Sequence, residues 1–338
     1  MSAALKIAVP MAGYGSRMRP HTWSKPKPLL PLAGRTVLDH ALDQFKSLPS
    51  SLEVEYIFIV SPFQLEQVTA FLRQNYPHLA YQIVVQEQMR GQSDALYLAR
   101  QYFHGRMLMA FSDTLIETDL SILDQEPLDG VAWVKPVPDP RRFGVAETDA
   151  SGRIVRLIEK PQSIENNRVV VGFYYFRSGE ALMAAIEEQM RRNISLKGEF
   201  FLADAVNILL ERGAQMRTQE VGVWLDAGIP EAVLETNRHL LDHGADNSAE
   251  TAARFPQACI HPPVFVHPTA VLEDAVIGPH ASIAAGCTIR RAVVSNSVLD
   301  ENTLVEDLLL EGSLLGRRVK AQGRSEQLNL GDDAWIKK

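Results

Sequence analysis

Lys6–Pro31 reads KIAVPMAGYGSRMRPHTWSKPKPLLP, a short apolar run that breaks into glycines and then into a loop punctuated by prolines. Lys6–Met11 (KIAVPM) has the composition of a buried strand. The pair Gly13 and Gly15 lets backbone N–H groups approach anionic oxygens, and Arg17 adds a fork of charged donors. Ten residues later Lys27 stands between Pro26 and Pro28, in a loop stiff enough to hold an ammonium over the same anion. A dinucleotide fingerprint would need a third glycine where Met18 stands, and no G-x-x-x-x-G-K-[ST] loop is present. By itself a G-x-G is a weak signal. A solvated basic face is the plainer reading of the charges.

Outward from this stretch the chain alternates. Val37–Leu48 has helical spacing, Val54–Val60 reads as a strand, and Leu65–Tyr76 as an amphipathic helix with Leu65, Val68, Phe71 and Leu72 inward. Tyr81–Val85 reads as a strand, Asp94–Phe103 as a helix, and Met107–Phe111 as a strand ending at Ser112-Asp113. This rhythm predicts parallel strands with right-handed crossovers and helices on both faces, with ligands beyond the strands' carboxyl ends. The Gly13 loop and Asp113 both fall there. From Gly130 the pattern turns to mixed α+β, with a hairpin at Ala150-Ser151-Gly152, helices at Ala181–Arg191 and Leu202–Arg212, and a helix from Pro230 to His243. All of it reads as an extension of the same sheet.

Gly244–Gln257 is polar and reads as a linker. Beyond it apolar residues recur every sixth position, at Phe265, Val271, Ile277, Ile283 and Ile289, then at Val298, Leu304 and Leu310. That period predicts a parallel β-helix with these side chains stacked inward. The expected domains are 1–244, a linker at 245–258, a β-helix at 259–325 and a tail at 326–338.

Composition narrows the function classes. Of 338 residues, 46% are hydrophobic and 22% charged, as in a globular protein. Runs without a polar side chain reach only about eight residues, as at Val169–Phe176, far short of the roughly 20 that span a bilayer. No secretory signal is visible, and Cys259 and Cys287 lack C-x-x-C spacing, so a reducing cytoplasm is the expected compartment and no membrane partner is expected. Net charge is −7, which argues against nucleic acid. Residues 1–46 nonetheless carry seven basic side chains against Asp39 and Asp43, a local excess suited to phosphate.

Gly13–Thr22 (GYGSRMRPHT) followed by Pro26–Pro31 (PKPLLP) resembles the sugar-1-phosphate nucleotidyltransferases, most closely the long-form glucose-1-phosphate thymidylyltransferases with a C-terminal hexapeptide-repeat tail. The likeness continues in order through Gln86, Gly91-Gln92-Ser93-Asp94-Ala95, Asp113, Phe143-Gly144-Val145, Glu159-Lys160-Pro161, Gly172-Phe173-Tyr174-Tyr175-Phe176, Lys197-Gly198-Glu199 and Trp224-Leu225-Asp226-Ala227-Gly228. It implies an α/β fold, a Rossmann-like mixed sheet with helices on both faces, followed by a small left-handed parallel β-helix. It also implies transfer of a nucleotidyl group from an NTP to a sugar 1-phosphate, with dTTP and glucose 1-phosphate favoured, by direct in-line attack and release of pyrophosphate.

Under that resemblance Arg17, Lys27, Asp113 and Asp226 are the catalytic set, with Asp113 and Asp226 sharing Mg²⁺. Met11, Ala12, Gly13, Gly15, Ser16, Gln86 and Gly91 bind the nucleotide, and Gly144, Glu159, Lys160 and Gly172 bind the sugar phosphate. Each residue alone has a duller reading: Asp113 as a turn cap, Asp226 at a helix dipole, Lys160 as a solvated hairpin residue, Gln86 as a satisfied polar group. Three departures stand out from the family's pattern, namely Thr114 in place of Asn, Ala227 in place of Thr, and Pro10-Met11 before the loop. UTP with glucose 1-phosphate, GTP with mannose 1-phosphate, a non-catalytic regulatory subunit and a β-helix sugar acyltransferase are the alternatives. An open β-helix end predicts a homo-oligomer. His239 and His243, spaced i, i+4, read as a surface pair.

Overall fold

In the computed structural model, which describes residues 4–323, the KIAVPM strand runs Leu5–Pro10 (β1) through the middle of a nine-stranded mixed sheet. Its period of two feeds two cores. Ile7 and Val9 pack with Phe58, Val60 and Leu108 on one face, and Ala8 packs with Ile57, Ile59 and Met109 on the other. β2 (Val54–Val60), β3 (Tyr81–Val85) and β4 (Met107–Ala110) complete the parallel half, in the order β4-β1-β2-β3. The crossover helices are α1 (Val37–Asp43), α2 (Pro62–Asn75) and α3 (Gln92–Leu98).

After β4 the chain makes β5 (Thr114–Ile116), which lies outside the main sheet. The second half adds β6 (Gly130–Pro136), β7 (Gly144–Thr148), β8 (Ile154–Glu159) and β9 (Arg168–Phe176), with β9 antiparallel to β4 and to β6. The predicted hairpin joins β7 and β8, where the Asp149 carboxylate accepts from the Ser151 and Arg153 N–H groups. α4 (Gly179–Arg191) and α5 (Leu202–Glu211) cover one face. β10 (Met216–Glu220) pairs with β6, and β11 (Trp224–Asp226) pairs antiparallel with β5.

Three helix boundaries differ from expectation. α1 ends at Asp43 and passes into a 3₁₀ turn at Gln44–Ser47, because the Gln44 amide is engaged with Thr114 O (2.8 Å) and Ile116 N (2.9 Å). α2 starts at Pro62, since Ser61 and Gln64 form a capping box; Leu65 is exposed and Gln64 faces inward in its place. α3 stops at Leu98 and a 3₁₀ turn follows at Arg100–Tyr102.

Residues 4–30 and 35–233 form one compact unit, and 31–34 with 234–323 a second. α6 (Pro230–Leu240), which begins in the first unit, runs into a π-turn at Leu241–Ala245 that contains Gly244 at φ 108°. The stretch expected to be a linker contains α7 (Ser248–Arg254). The Asp246 and Ser248 side chains accept from Val264 N, Asn247 N donates to Val264 O, and the Asn247 side chain bonds to both N and O of Val266, all at 2.9–3.0 Å. These side chains cover the first coil's edge, so that end of the β-helix is capped rather than open.

The tail is a small left-handed β-helix of three parallel sheets with four short strands each. Successive coils pair Val264 with Ala281 and Val271 with Thr288, then Thr288 with Leu304 and Val298 with Leu314, so a coil takes 17 and later 16 residues instead of three full hexads. A strict six-residue count therefore drifts. Ile277, Ile283 and Ile289 are in the core as expected and Leu310 packs against it, but Val264, Val266, Leu272, Leu299 and Val305 occupy the core where Phe265, Val271, Val298 and Leu304 were expected. The last residues of the expected β-helix and the tail at 326–338 lie outside the described residues.

Candidate active site

The glycine loop is shaped by its neighbours. Gly15, at φ 60°, opens a 3₁₀ turn at Ser16–Met18. A Cβ there would lie 3.0 Å from Thr22 Cγ2, and Thr22 Oγ1 donates to Gly15 O at 2.8 Å, so both ends of GYGSRMRPHT are tied together. Met18 is buried and anchors the turn, which leaves Arg17 exposed. A Cβ on Gly13 would meet no protein atom, so the space beside it belongs to the cavity. Behind the loop Gln64, 2% exposed, donates Nε2 to Met11 O at 2.8 Å and to Gly13 O at 3.2 Å.

Pro10, Met11, Ala12, Gly13, Gly15, Arg17, Lys27, Gln86, Gly91 and Asp113 meet around one cavity of about 320 Å³, at the carboxyl ends of β1 and β4. Met89, Gln92, Phe111, Glu199 and Phe201 complete much of its wall. Asp113 follows β4 and forms an ion pair with Lys27. The β5–β11 ribbon brings the second carboxylate alongside: Asp226 is in register with Thr114, and Ala227 N donates to Asp113 O at 3.0 Å. A Cβ on Gly228 would lie 2.9 Å from Asp226 Oδ1 and 3.3 Å from Arg17 Nη2, so glycine here leaves room for both groups.

The two aspartates are tuned apart. Burial would push Asp113 up, but the Lys27 charge and hydrogen bond, a backbone N–H and Arg17 hold it below its ordinary value. Burial pushes Asp226 up and repulsion from Asp113 adds to it, against the pull of Lys27, Arg17 and the Gly228 N–H. Among the described residues no group of three or more His, Cys, Asp or Glu side chains is arranged to hold a metal. A pair of hard carboxylate oxygens beside a phosphate-sized cavity nevertheless suits Mg²⁺, which is commonly held by one or two carboxylates with substrate phosphates and waters completing its shell.

Gly144, Glu159 and Lys160 sit in a second patch. Ser16, Gly144, Glu159, Lys160, Gly172 and Asp226 are not part of the cavity wall itself. Gly144 makes room for Glu159, whose Oε2 would be 3.1 Å from a Cβ there. Burial pushes Glu159 up; Lys160 opposes this, and Asp204 and Glu199 reinforce it. Lys160 Nζ lies 4.6 Å from the centre of the Phe201 ring, so this patch adjoins the cavity through Phe201 and Glu199. Gly172, at φ 78°, is buried, and a Cβ on it would lie 2.1 Å from Phe111 Cδ2. Its absence of side chain seats the Phe111 ring that lines the cavity.

The nucleotidyl transferase family pattern matches residues 9–243, which include every one of these positions. The chain belongs to that family. The chain is 30% identical over 231 residues to the bifunctional protein GlmU of Methanocaldococcus jannaschii, a match covering 68% of the chain and 53% of GlmU. It thus spans about half the length of the GlmU relatives it matches. It is 26% identical to a glucose-1-phosphate thymidylyltransferase of Streptomyces griseus, over 97% of the chain and 98% of the relative. Among solved structures, a Bacillus anthracis protein provisionally named a glucose-1-phosphate thymidylyltransferase, in complex with a sucrose, superposes with a TM-score of 0.59 at 25% identity, covering 70% of this chain and 94% of its own.

Sequence reasoning passed over Gln64, Phe111, Glu199 and Phe201 as site residues. For Gln64 a signal was available, since Ser61-x-x-Gln64 is a capping-box pattern. Its reach to the glycine loop, 51 residues earlier, was not. Among the described residues no helix is long and apolar enough to cross a membrane. His239 and His243 stack with ring centres 4.0 Å apart, and His243 Nδ1 lies 2.7 Å from His239 O.

Proposed function

We propose that this nucleotidyl transferase joins a nucleoside triphosphate to a sugar 1-phosphate, with dTTP and glucose 1-phosphate as the leading pair and Mg²⁺ as the metal. The observation that carries the reading is the convergence of Gly13, Gly15, Arg17 and Lys27 with Asp113 and Asp226 at the edge of one cavity. The end-to-end match with the Streptomyces griseus enzyme, tail included, favours the thymidylyl version.

A sugar-phosphate oxygen attacks the α-phosphorus, the new P–O bond forms as the bond to the β-phosphate oxygen breaks, and pyrophosphate leaves. Two polyanions must approach, so the barrier is lowered by positioning and by fixed positive charge. Arg17 and Lys27 neutralise the triphosphate, the N–H groups of the Gly13–Gly15 loop bind its oxygens, and Lys160 holds the sugar phosphate. Glu159 accepts from sugar hydroxyls, with Gly144 leaving space for it. Asp113 and Asp226 would hold the divalent cation, which when bound supplies charge neutralisation between the phosphoryl groups.

Pyrophosphate release tests this, measured for dTTP, UTP, GTP, CTP and ATP against glucose, galactose, mannose and N-acetylglucosamine 1-phosphates. One pair should dominate, and Asp113→Asn should lower its kcat by about 10²-fold or more, the usual scale for losing one preorganised electrostatic group. No turnover above the variant's background for any pair would refute it.

A further inference from the structure

Gln86 and Asp94 are each 3% exposed and bonded to one another in a one-sided way. Gln86 Nε2 donates to Asp94 Oδ2 at 2.9 Å and to Gly91 O at 3.3 Å. Asp94 is held from the other side by Arg90, whose Nη2 donates to Oδ1 at 2.6 Å. An arginine-paired carboxylate and a peptide carbonyl both accept and cannot donate. Turning the Gln86 amide over would set its Oε1 against two oxygens and strip both of their donor in a buried place, which is strongly disfavoured. The amide is therefore locked with Nε2 toward the protein. Gln86 lines the cavity, and among the described residues nothing donates to its Oε1.

We propose that Asp94 is a positioning residue that makes Gln86 a fixed hydrogen-bond acceptor toward the nucleobase. The cavity then selects a base with a ring N–H on its pairing edge, as in thymine, uracil or guanine, over cytosine or adenine, whose ring nitrogen there is a lone pair. This rests on reading the cavity as a nucleotide site. It adds that the choice is made by a carboxylate that never touches the base. Ser93-Asp94 follows directly on Gly91-Gln92, so the lock and the turn it braces are consecutive in the chain.

UTP and CTP share ribose and phosphates and differ at the pairing edge, so they form the matched pair for a test on the full chain. UTP should exceed CTP in kcat/KM by roughly 100-fold or more, since a site that leaves buried polar groups unpaired rejects an analogue strongly. Asp94→Asn is near-isosteric, and its amide can donate as well as accept, so Gln86 is free to turn over. The UTP:CTP ratio should then fall by about tenfold, roughly one hydrogen bond's worth of discrimination, with CTP efficiency rising in absolute terms. A damaged fold would lower both. In a Gln86→Met background the same change at Asp94 should leave the ratio unaltered. On the unaltered protein, 3-methyluridine triphosphate, which lacks the N–H, should be used far less well than UTP.

A wild-type preference for CTP, an unchanged ratio in Asp94→Asn, the same change without Gln86, or equal use of the 3-methyl analogue would each overturn the proposal. If no sugar phosphate supports turnover, the catalytic reading fails separately, and UTP and CTP dissociation constants from calorimetry on the same proteins carry the comparison. If neither nucleotide binds, both readings fall.

Discussion

Asp113 and Asp226 are the same residue type in one site, yet the fold gives them opposite tendencies. Lys27 reaches Asp113 directly, whereas burial and the neighbouring negative charge weigh on Asp226. An acid whose folded pKa is raised binds its proton more tightly when folded, so it favours folding at low pH and costs stability once ionised. Asp226→Asn removes that penalty. In the presence of EDTA its Tm should exceed the wild type's at pH 8, by a gain within the roughly 0.5–2 kcal/mol common for stabilising substitutions, and the gap should close as pH falls through the raised pKa of Asp226. Pyrophosphate release should be lost in the same variant. Thermal melts across pH check the first outcome, and a Tm below the wild type's at pH 8 would contradict it. The pair's identity was legible in the sequence because each stands in a quoted motif. Their inequality was not, because it depends on which cation the fold delivers to which carboxylate.

At the scale of elements, the glycine loop depends on a helix that follows it by about fifty residues. The Gln64 side chain closes the α2 capping box through Ser61 N at 3.0 Å and also holds the carbonyls of Met11 and Gly13. Holding those carbonyls inward leaves the loop's N–H groups for the cavity. Gln64→Leu should cost about 1–3 kcal/mol, the desolvation penalty for buried polar groups left without a partner. It should also raise the NTP KM more than it lowers kcat; urea unfolding and steady-state kinetics read the two effects. A kcat loss with unchanged KM would count against the loop-holding role. The parallel strands and the hairpin were readable from period and turn chemistry, which are local; the strand order was not. α7 was missed because a short polar helix has no apolar stripe; it exists through the bonds that Asp246, Asn247 and Ser248 make to the first coil. The β-helix phase slipped for a related reason. Its corners absorb one residue differently in successive coils, as left-handed Asp274, Arg291 and Asp307 mark at equivalent turns.

Over the whole molecule, a chain of net charge −7 concentrates basic residues in its first 46 positions, two of which, Arg17 and Lys27, line the cavity. Long-range attraction of a triphosphate to such a site is screened over a Debye length of about 8–10 Å at ordinary salt. Raising ionic strength from about 0.05 to 0.3 M should therefore raise the NTP KM several-fold with little change in kcat, and a flat KM would show that steering is unimportant. The sequence by itself determined the strand that enters a glycine loop, the alternating half of the sheet, the change to a coiled tail and the family, because these are properties of neighbouring residues and their spacing. Only the tertiary structure decided which aspartate is held below its ordinary pKa and which is pushed above it, what holds the loop from behind, and which face Gln86 turns to the cavity. Those outcomes depend on groups that folding brings together across the sheet, where burial strengthens each charge and makes every missing hydrogen bond costly.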